Sequence, residues 1–205
     1  MTKSMSWPII FPVFKKACLS DDKFFAKPIY GASMKRFFTF LFYILAVFPA
    51  FAALQAGDKA PDFNAQASLG GKPVVFSLRD ELKKGPLVVY FYPTAYGRGC
   101  SVQAHSFAIH HDKFTAANAT IVGVSLDSIE RLNEFSSDPA YCASKFPVAS
   151  DVDGKIANAF GLVVDTSTVG RKDIRGIQVD HGSIARTTFI VGADGKILAT
   201  VDGLR

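Results

Sequence analysis

The stretch LVVYFYPTAYGRGCSVQAHSF, residues 87–107, encodes a strand, a turn and the start of a helix in succession. Its first six residues are apolar and aromatic, with the length and composition of a buried strand. Pro93 and Gly97 mark the turn. The apolar spacing after Cys100 predicts a helix that runs to about Asn118. Cys100 therefore begins a helix just beyond the carboxyl end of a strand, where open α/β sheets place their active crevices.

Cys100 occupies a position that activates a thiol. A helix N-terminus presents free backbone N–H groups and a partial positive charge, which favour thiolate over thiol. Arg98, two residues earlier, acts in the same direction. The alternative is that Cys100 is a small buried hydrophobe, as many free cysteines are. The strand–turn–helix context favours the reactive interpretation.

Further along the chain, predicted strands and helices alternate. Their order is a β-branched strand at 120–126, a helix capped by Asp127-Ser128 and running to about Ser136, a short strand at 146–148, a helix at 155–160, a polar irregular segment at 162–183 and a hairpin at 187–201. This alternation predicts an α/β sandwich with a central mixed sheet flanked by helices. Irregular segments as long as 162–183 are uncommon in compact domains unless they are functional or flexible.

The central stretch resembles the active-site segment of peroxiredoxins. The resemblance rests on Phe91-Tyr92-Pro93 followed by Gly99-Cys100 and Ala104, and it is closest to the peroxiredoxin Q, or bacterioferritin-comigratory-protein, branch. It extends in the same order to GDKAPDF (57–63), FPVASD (146–151) and RTTFIV (186–191). This resemblance implies a thioredoxin-like fold and a thiol-dependent peroxidase that reduces hydrogen peroxide and organic hydroperoxides.

The family pattern, Pro-x-x-x-Thr/Ser-x-x-Cys with an arginine from a distant strand, implies roles for several residues. Pro93 matches the loop proline, Cys100 the peroxidatic cysteine and Arg186 the distant arginine. The backbone N–H groups of Gly99 and Cys100 are expected to stabilise charge on the leaving oxygen together with the guanidinium. No heme, flavin or metal is implied, because the sulfur itself carries the redox step.

Three positions depart from the family pattern. Gly97 stands where the family has the Thr or Ser hydroxyl that holds the peroxide. Gln103 replaces a usual glutamate, and His105 replaces a second cysteine that many members carry. The missing hydroxyl predicts a peroxidase weakened by about one or two orders of magnitude, unless Tyr96, Ser101 or a water substitutes.

Cys142 is the candidate resolving cysteine, since the third cysteine, Cys18, lies in the N-terminal region before residue 53, outside the predicted working domain. Two outcomes stay open. Either Cys142 closes a disulfide with Cys100, or Cys142 is a buried structural cysteine and a small thiol or a thioredoxin-like partner resolves Cys100. Bridging requires Cα atoms within roughly 7 Å of each other.

Two other functions are alternatives to the peroxidase. Gly97 supports a catalytically weakened redox sensor or binding protein. A thiol–disulfide exchanger is less favoured, because no Cys-x-x-Cys is present: Gly97 and Gln103 occupy the positions three residues to either side of Cys100. The sequence is compatible with a monomer or a homodimer.

Residues 34–52 have the parts of a secretory signal peptide. Lys35-Arg36 is followed by an apolar run at 37–48 and by the cleavage pattern Ala50-Phe51-Ala52. The run is short for a membrane-spanning helix, which needs about 20 apolar residues. The sequence therefore predicts a periplasmic or secreted protein, with an uncleaved membrane anchor as the alternative.

The remaining boundaries follow from this leader. Residues 1–33 are expected to be an extension or a mis-assigned start, and residues 53–205 the working domain. Residues 1–52 hold seven Lys/Arg and two Asp/Glu, which account for the formal charge of +5, whereas 53–205 holds sixteen of each sign. The working domain is neutral and has no basic stripe with interleaved aromatics, so no nucleic-acid partner is expected.

No metal site is expected either. His105, His110 and His111 lack the i, i+4 spacing that brings two ligands together on a helix. The segment 151–154, Asp-Val-Asp-Gly, resembles half a calcium loop but lacks the later glutamate, so it predicts a turn that caps the next helix.

Overall fold

The computed structural model describes residues 53–202, so the predicted leader lies outside the described residues. The strands are β1 (Asn64–Leu69), β2 (Lys72–Ser77), β3 (Leu87–Phe91), β4 (Thr120–Ser125), β5 (Val148–Ser150), β6 (Val164–Asp165), β7 (Ser183–Ile184), β8 (Thr187–Val191) and β9 (Ile197–Asp202). The helices are α1 (Leu78–Leu82), α2 (Arg98–Ile109), α3 (His111–Ala116), α4 (Ile129–Ser137) and α5 (Lys155–Ala159), with a 3-10 turn at Thr166–Thr168. Within residues 53–202, no helix has the length and apolarity needed to cross a membrane.

Seven strands form one mixed sheet in the order β2-β1-β5-β4-β3-β8-β9, and β6 and β7 form a separate small ribbon. Strand β3 pairs in parallel with β4 and antiparallel with β8. All five residues of β3 are buried. This arrangement is the predicted sandwich with a central mixed sheet.

Alternation along the central strand divides the core into two layers, because successive side chains of a strand point to opposite faces. Leu87, Val89 and Phe91 belong to a cluster that also contains Leu78 of α1 and Ala157 of α5. The intervening side chains belong to a second cluster, which comprises Val88, Tyr90, Tyr92, Ala95, Tyr96, Cys100, Ala104, Ala108, Ile121, Leu132, Phe135, Cys142, Phe146 and Val148. Helices therefore cover both faces of the sheet, and Cys100 and Cys142, the two cysteines within residues 53–202, lie on the same face.

The helix predicted from Cys100 to about Asn118 is wrong in its bounds. It begins at Arg98, with Gly97 as the N-cap, and it is interrupted at His110, where φ is −104° and ψ is 8°. His110 directs both its amide and its ring Nδ1–H at the Ser106 carbonyl, at 3.3 and 2.9 Å. The helix after the break has no fully buried side chain, and Phe114 is only partly buried against the core, so little core packing holds the two pieces in one line.

The other predicted elements lie close to their expected positions. Ser128 alone is the N-cap of α4, whose predicted extent is confirmed within one residue, and the hairpin is formed by β8 and β9. The short strand expected at 146–148 instead begins at Val148, because Pro147 has no N–H to donate to the ladder. Asp151 caps α5 by accepting from the amides of Ile156 and Ala157, as the turn interpretation predicted.

The segment 162–183 is more ordered than its sequence pattern predicts. β6 and β7 close its base, and the amides of Gly170 and Val179 donate across it to Val179 and Arg171 carbonyls at 2.7 and 2.8 Å. We refer to residues 164–184 as the cover segment, because they pack on the turn before Cys100.

Candidate active site

The turn between β3 and α2 positions Cys100. Tyr92 continues the sheet by donating from its amide to the Val124 carbonyl, and the Gly97 amide donates back to the Thr94 carbonyl at 3.2 Å. Tyr96 has a positive φ of 58°, which is uncommon for a bulky residue and marks a tightly constrained turn. Cys100 follows in the first turn of α2 and is only 3% exposed.

Arg186 and Cys100 meet in the structure, as the resemblance implies. The Arg186 Nη2 atom lies 3.4 Å from Cys100 Sγ, and its Nη1 atom donates to Gln103 Oε1 at 2.6 Å. The Gln103 side chain in turn donates to the Thr188 hydroxyl at 3.4 Å. Gln103 therefore orients the guanidinium against the sulfur from the same helix that carries the cysteine.

Two glycines leave room around this pair. A Cβ on Gly99 would lie 2.9 Å from Arg186 Nη2, so a side chain there would displace the guanidinium. A Cβ on Gly97 would lie 3.0 Å from Cys100 Sγ and 3.2 Å from Thr94 Cγ2. No side chain caps the start of α2. The first backbone N–H groups of the helix, in the turn that carries Cys100, therefore have no side-chain acceptor.

The expected substitutes for the missing hydroxyl have different environments. Tyr96 is buried, and its ring lies under the Arg175 guanidinium, with Cζ 3.3 Å from the ring centroid. The Ser101 hydroxyl is buried and has no hydrogen-bond partner within residues 53–202. Thr94 is a third hydroxyl near the turn, but it donates to Asp127 at 3.0 Å.

Asp127 is the polar centre beneath the turn, and its role was missed at the sequence level, where it was assigned to a helix cap. Its carboxylate is fully buried and accepts from five groups. These donors are Thr94 Oγ1 at 3.0 Å, the Ala95 amide at 2.6 Å, Ser125 Oγ at 2.7 Å, Arg131 Nε at 2.8 Å and His181 Nε2 at 2.9 Å. Burial raises the pKa of Asp127, but the bond and charge of His181, with the other donors, outweigh it and lower that pKa.

The cover segment is tied to the turn by charged groups that sequence reasoning also missed. Asp173 is buried and pairs with Arg131 Nη2 at 2.8 Å and with Arg175 Nε at 3.2 Å. The Ile174 amide donates to the Tyr96 carbonyl at 3.1 Å. For Asp127 a signal was available in the sequence. It follows a buried strand and precedes Arg131 by four residues, and an acid in that position lies at the carboxyl edge of the sheet.

Both nitrogens of His181 face oxygen acceptors. Nε2 lies 2.9 Å from Asp127 Oδ1, and Nδ1 lies 2.6 Å from the Gly182 carbonyl. Both must donate, so this geometry fits the imidazolium form. Burial lowers the pKa of His181, but the bond and charge of Asp127 and the Gly182 carbonyl outweigh it and raise that pKa.

Cys142 is a free thiol with no exposed surface, in the same apolar cluster as Cys100. Burial, with a smaller contribution from Asp138, raises the pKa of the Cys142 thiol far above its ordinary value. Ala143 and Ser144, directly after it, both have positive φ values, 49° and 59°. Cys142 is thus a protonated core thiol held in a strained turn.

Within residues 53–202, none of the histidines of the helical region forms a hydrogen bond with Cys100. His105 is exposed on the outer side of α2. Across residues 53–202, no group of three or more His, Cys, Asp or Glu side chains is arranged to hold a metal ion.

Comparison with known proteins identifies the family. The model of the AhpC/TSA family matches residues 56–200. The chain belongs to the AhpC/TSA family of peroxiredoxins. This peroxiredoxin is 34% identical over 145 residues to a Mycobacterium tuberculosis protein that carries a peroxiredoxin name, covering 71% of this chain and 83% of the relative. It is 29% identical over 152 residues to peroxiredoxin Bcp of Escherichia coli K12, covering 74% and 88% of the two chains.

Solved structures give the same result. Peroxidoxin BcpB from Mycobacterium tuberculosis matches this peroxiredoxin with a TM-score of 0.59 and 27% identity, over 73% of this chain and 86% of that one. A mutant of Xylella fastidiosa PrxQ matches with a TM-score of 0.57 and 25% identity, over 75% and 89%. The predicted family, thioredoxin-like fold and thiol-dependent peroxidase class are confirmed, and the roles of individual residues stay predictions.

Proposed function

We propose that Cys100 is the peroxidatic cysteine of this peroxidase and that Arg186 is its electrostatic partner. The observation that carries the proposal is the 3.4 Å approach of Arg186 Nη2 to Cys100 Sγ, with the guanidinium fixed from behind by Gln103. A fixed guanidinium stays charged and keeps further N–H donors free for a second ligand. The uncapped start of α2 adds backbone donors on the same side.

The reaction follows from these groups. The Cys100 thiolate attacks the terminal oxygen of the hydroperoxide, the O–O bond breaks, and the leaving alkoxide or hydroxide takes a proton from solvent. The products are a cysteine sulfenic acid and an alcohol or water. Arg186 and the N–H groups of Gly99 and Cys100 stabilise the negative charge that develops on the leaving oxygen. Pro93, the loop proline implied by the family resemblance, is proposed to pack the turn and keep water from the sulfur.

Cys142 is proposed to resolve the sulfenic acid after it leaves the core. Its thiol condenses with the sulfenic acid to form a disulfide and water, and a dithiol reductant of thioredoxin type, or two small thiols, then restores both cysteines. The strained turn after Cys142 supports its movement out of the core. Ala143 and Ser144 are non-glycine residues with left-handed backbone, and each costs on the order of 1–3 kcal/mol in the folded state.

A weakened oxidant sensor is the second candidate, and Gly97 favours it. The position has no hydroxyl, Thr94 is committed to Asp127, and the Tyr96 ring lies under Arg175. Such a protein would still form the sulfenic acid at Cys100, but no faster than free cysteine does. The second candidate and the peroxidase thus differ in rate rather than in chemistry.

One experiment separates them. Reduced full-length protein is mixed with hydrogen peroxide or cumene hydroperoxide, and sulfenic acid at Cys100 is trapped with dimedone and followed by intact mass. Oxidation well above the rate of free cysteine, abolished in Cys100→Ser, supports the peroxidase. A rate equal to that of free cysteine supports the sensor, and efficient insulin reduction would favour a disulfide exchanger.

The leader supports a periplasmic or secreted location, with residues 34–52 removed as a signal peptide. Mass spectrometry of the natural protein tests this directly. An N-terminus at Ala53 is expected, whereas an intact residue 34–52 segment in the membrane fraction would indicate the anchor instead.

A further inference from the structure

The turn before Cys100 and the loop that carries Cys142 touch through a pair of aromatic rings. Tyr96 lies in the turn, and Tyr141 directly precedes Cys142. Their ring centroids are 5.4 Å apart, and the ring planes meet at 88°. Phe135 of α4 contacts both rings, with its centroid 5.1 Å from that of Tyr96 and 5.4 Å from that of Tyr141. These three rings therefore join the two cysteine-bearing segments directly.

The backbone is strained on both sides of this contact. Tyr96 has a φ of 58°, and Ala143 and Ser144 have φ values of 49° and 59°. Within residues 53–202, only one other non-glycine residue, Asn118, has a positive φ, and asparagine tolerates that conformation well. Non-glycine residues stay in the left-handed region only where their surroundings hold them there. Loss of the ring contact would therefore let both segments relax.

Side-chain packing attaches the Cys142 loop to the turn before Cys100. Within residues 53–202, the amides at 140–145 that form hydrogen bonds donate to acceptors in 136–142. These bonds shape the loop but do not tie it to the other turn. Tyr141 is half-buried, whereas Cys142 has no exposed surface. The Tyr141 ring is thus the part of the loop that reports the position of the neighbouring turn.

The cover segment holds Tyr96 from another direction. Arg175 Cζ lies 3.3 Å from the centroid of the Tyr96 ring, and the Ile174 amide donates to the Tyr96 carbonyl at 3.1 Å. Arg175 is itself paired with the buried Asp173 at 3.2 Å. Tyr96 is therefore fixed while the turn is closed, and a movement of that turn changes what Tyr141 contacts.

Resting on the proposed resolving role of Cys142, we propose that Tyr96 and Tyr141 are positioning residues for the resolving step, because their contact makes the two segments open together. When the turn before Cys100 opens, the Tyr96 ring leaves Tyr141, and the Cys142 loop loses the contact that keeps it closed. Coupling of this kind is reciprocal, so loosening Tyr141 also exposes Cys100. Neither ring takes part in bond changes, and the disulfide and water form as in the proposed function.

A double-variant cycle tests the coupling by thiol labelling without peroxide. In full-length Cys100→Ser protein, labelling of Cys142 by N-ethylmaleimide is followed by peptide mass mapping, in Tyr96→Leu, in Tyr141→Leu and in both together. Each single variant should raise the labelling rate by about threefold to tenfold, the range that one aromatic pair provides. Because both substitutions remove the same contact, the double variant should label within about twofold of the faster single variant rather than at the product of the two increases.

The reciprocal measurement uses full-length Cys142→Ser protein and follows Cys100. Tyr141→Leu should speed labelling of Cys100 by about threefold to tenfold, whereas Tyr141→Phe, which keeps the ring, should match its parent. Phe114→Leu is the matched control, because it removes an edge contact with Phe107 at 5.7 Å and leaves both turns untouched. Both cysteines should keep the parent labelling rate in that control. The Tyr141 arm decides the proposal even where Tyr96→Leu does not fold.

Local opening is distinguished from global unfolding by low concentrations of urea. A local opening exposes little surface, so the raised labelling rates should depend weakly on urea, whereas labelling through global unfolding would rise steeply. A product-like increase in the double variant, unchanged Cys100 labelling in Tyr141→Leu, or a steep dependence on urea would each overturn the coupling. The resolving role is decided separately, because a wild type that forms no Cys100–Cys142 disulfide with hydrogen peroxide would overturn that role whatever the labelling shows.

Discussion

The Nη2 atom of Arg186 lies 3.4 Å from the Sγ atom of Cys100, across 86 positions of sequence. Sheet register brings them together: Phe91 at the end of β3 pairs with Thr187 at the start of β8. The residue before Thr187 is therefore delivered to the edge where α2 begins. Because pairing in the sheet fixes both partners, the guanidinium already lies beside the sulfur before a peroxide binds.

Replacing Arg186 should slow oxidation of Cys100 by hydrogen peroxide. In Arg186→Ala the rate constant is expected to fall by about 10²–10³-fold, the usual loss when one fixed donor to a developing oxyanion is removed. Arg186→Lys should recover only part of it, because one ammonium group cannot contact both Gln103 and the peroxide in a fixed fork. Arg79→Ala, which removes an exposed arginine paired with Asp62, is the control and should react normally. An undiminished rate in Arg186→Ala would exclude the assigned role.

Gly97 can be tested with a pair of variants. Gly97→Ala adds only the Cβ that would approach Cys100 Sγ, and Gly97→Thr adds the hydroxyl as well. Relative to the alanine variant, the threonine variant should react with hydrogen peroxide about twofold to tenfold faster, as expected for one net hydrogen bond of roughly 0.5–1.5 kcal/mol. Stopped-flow or quench measurements on both variants give this ratio. Equal rates would mean that the hydroxyl has no role at this position.

The sequence predicted the parts of this protein that depend on local pattern. The buried strand before Pro93, a helix that follows the turn and contains Cys100, and the terminal hairpin each have a short-range signal in composition and spacing, although the helix begins two residues before Cys100. The meeting of Cys100 with Arg186 was predicted because a family motif supplied the long-range information that spacing alone does not contain.

The polar network beneath the turn could not be predicted in the same way. Asp127 contacts His181 across 54 positions, and Arg131 contacts Asp173 across 42. These pairs depend on how the cover segment folds back, and its sequence shows no periodicity. The break at His110 was missed for a similar reason, since the helical spacing continues through it while the burial that would hold one straight helix does not.

Cys142 should react in a second, slower step than Cys100. Its thiol is buried and its pKa is raised, so it must be exposed before it can attack the sulfenic acid. After a pulse of hydrogen peroxide, dimedone-reactive Cys100 is expected to appear first and to decay as a Cys100–Cys142 disulfide forms, measured by intact mass and peptide mapping. In Cys142→Ser the sulfenic acid should persist. Identical decay in Cys142→Ser and in the wild type would assign resolution to an external thiol.

Asp127 should be intolerant of even an isosteric change. All five of its partners are donors, so the amide group of Asp127→Asn would place N–H groups against other donors in either orientation. Loss of a buried charge that other charges depend on typically costs about 3–5 kcal/mol in the free energy of unfolding. Asp112→Asn, at an exposed aspartate, is the control for denaturant unfolding. If Asp127→Asn lowered the free energy of unfolding no more than Asp112→Asn does, the network around Asp127 would not stabilise the fold.

His181 should make the stability of the protein depend on pH near neutrality. Its pKa is raised in the folded state, because the bond and charge of Asp127 with the Gly182 carbonyl outweigh burial, which lowers it. A raised histidine pKa contributes stability that is fully present below the unfolded value of about 6.5 and is lost as the pH rises through the folded value. The difference in unfolding free energy between wild type and His181→Gln should therefore be largest just below about pH 6.5 and shrink at higher pH. Denaturant unfolding at several pH values measures it, with His105→Gln as the exposed-histidine control. A difference that grows with pH would mean that His181 is neutral in the folded protein and that Asp127 is held by its other donors.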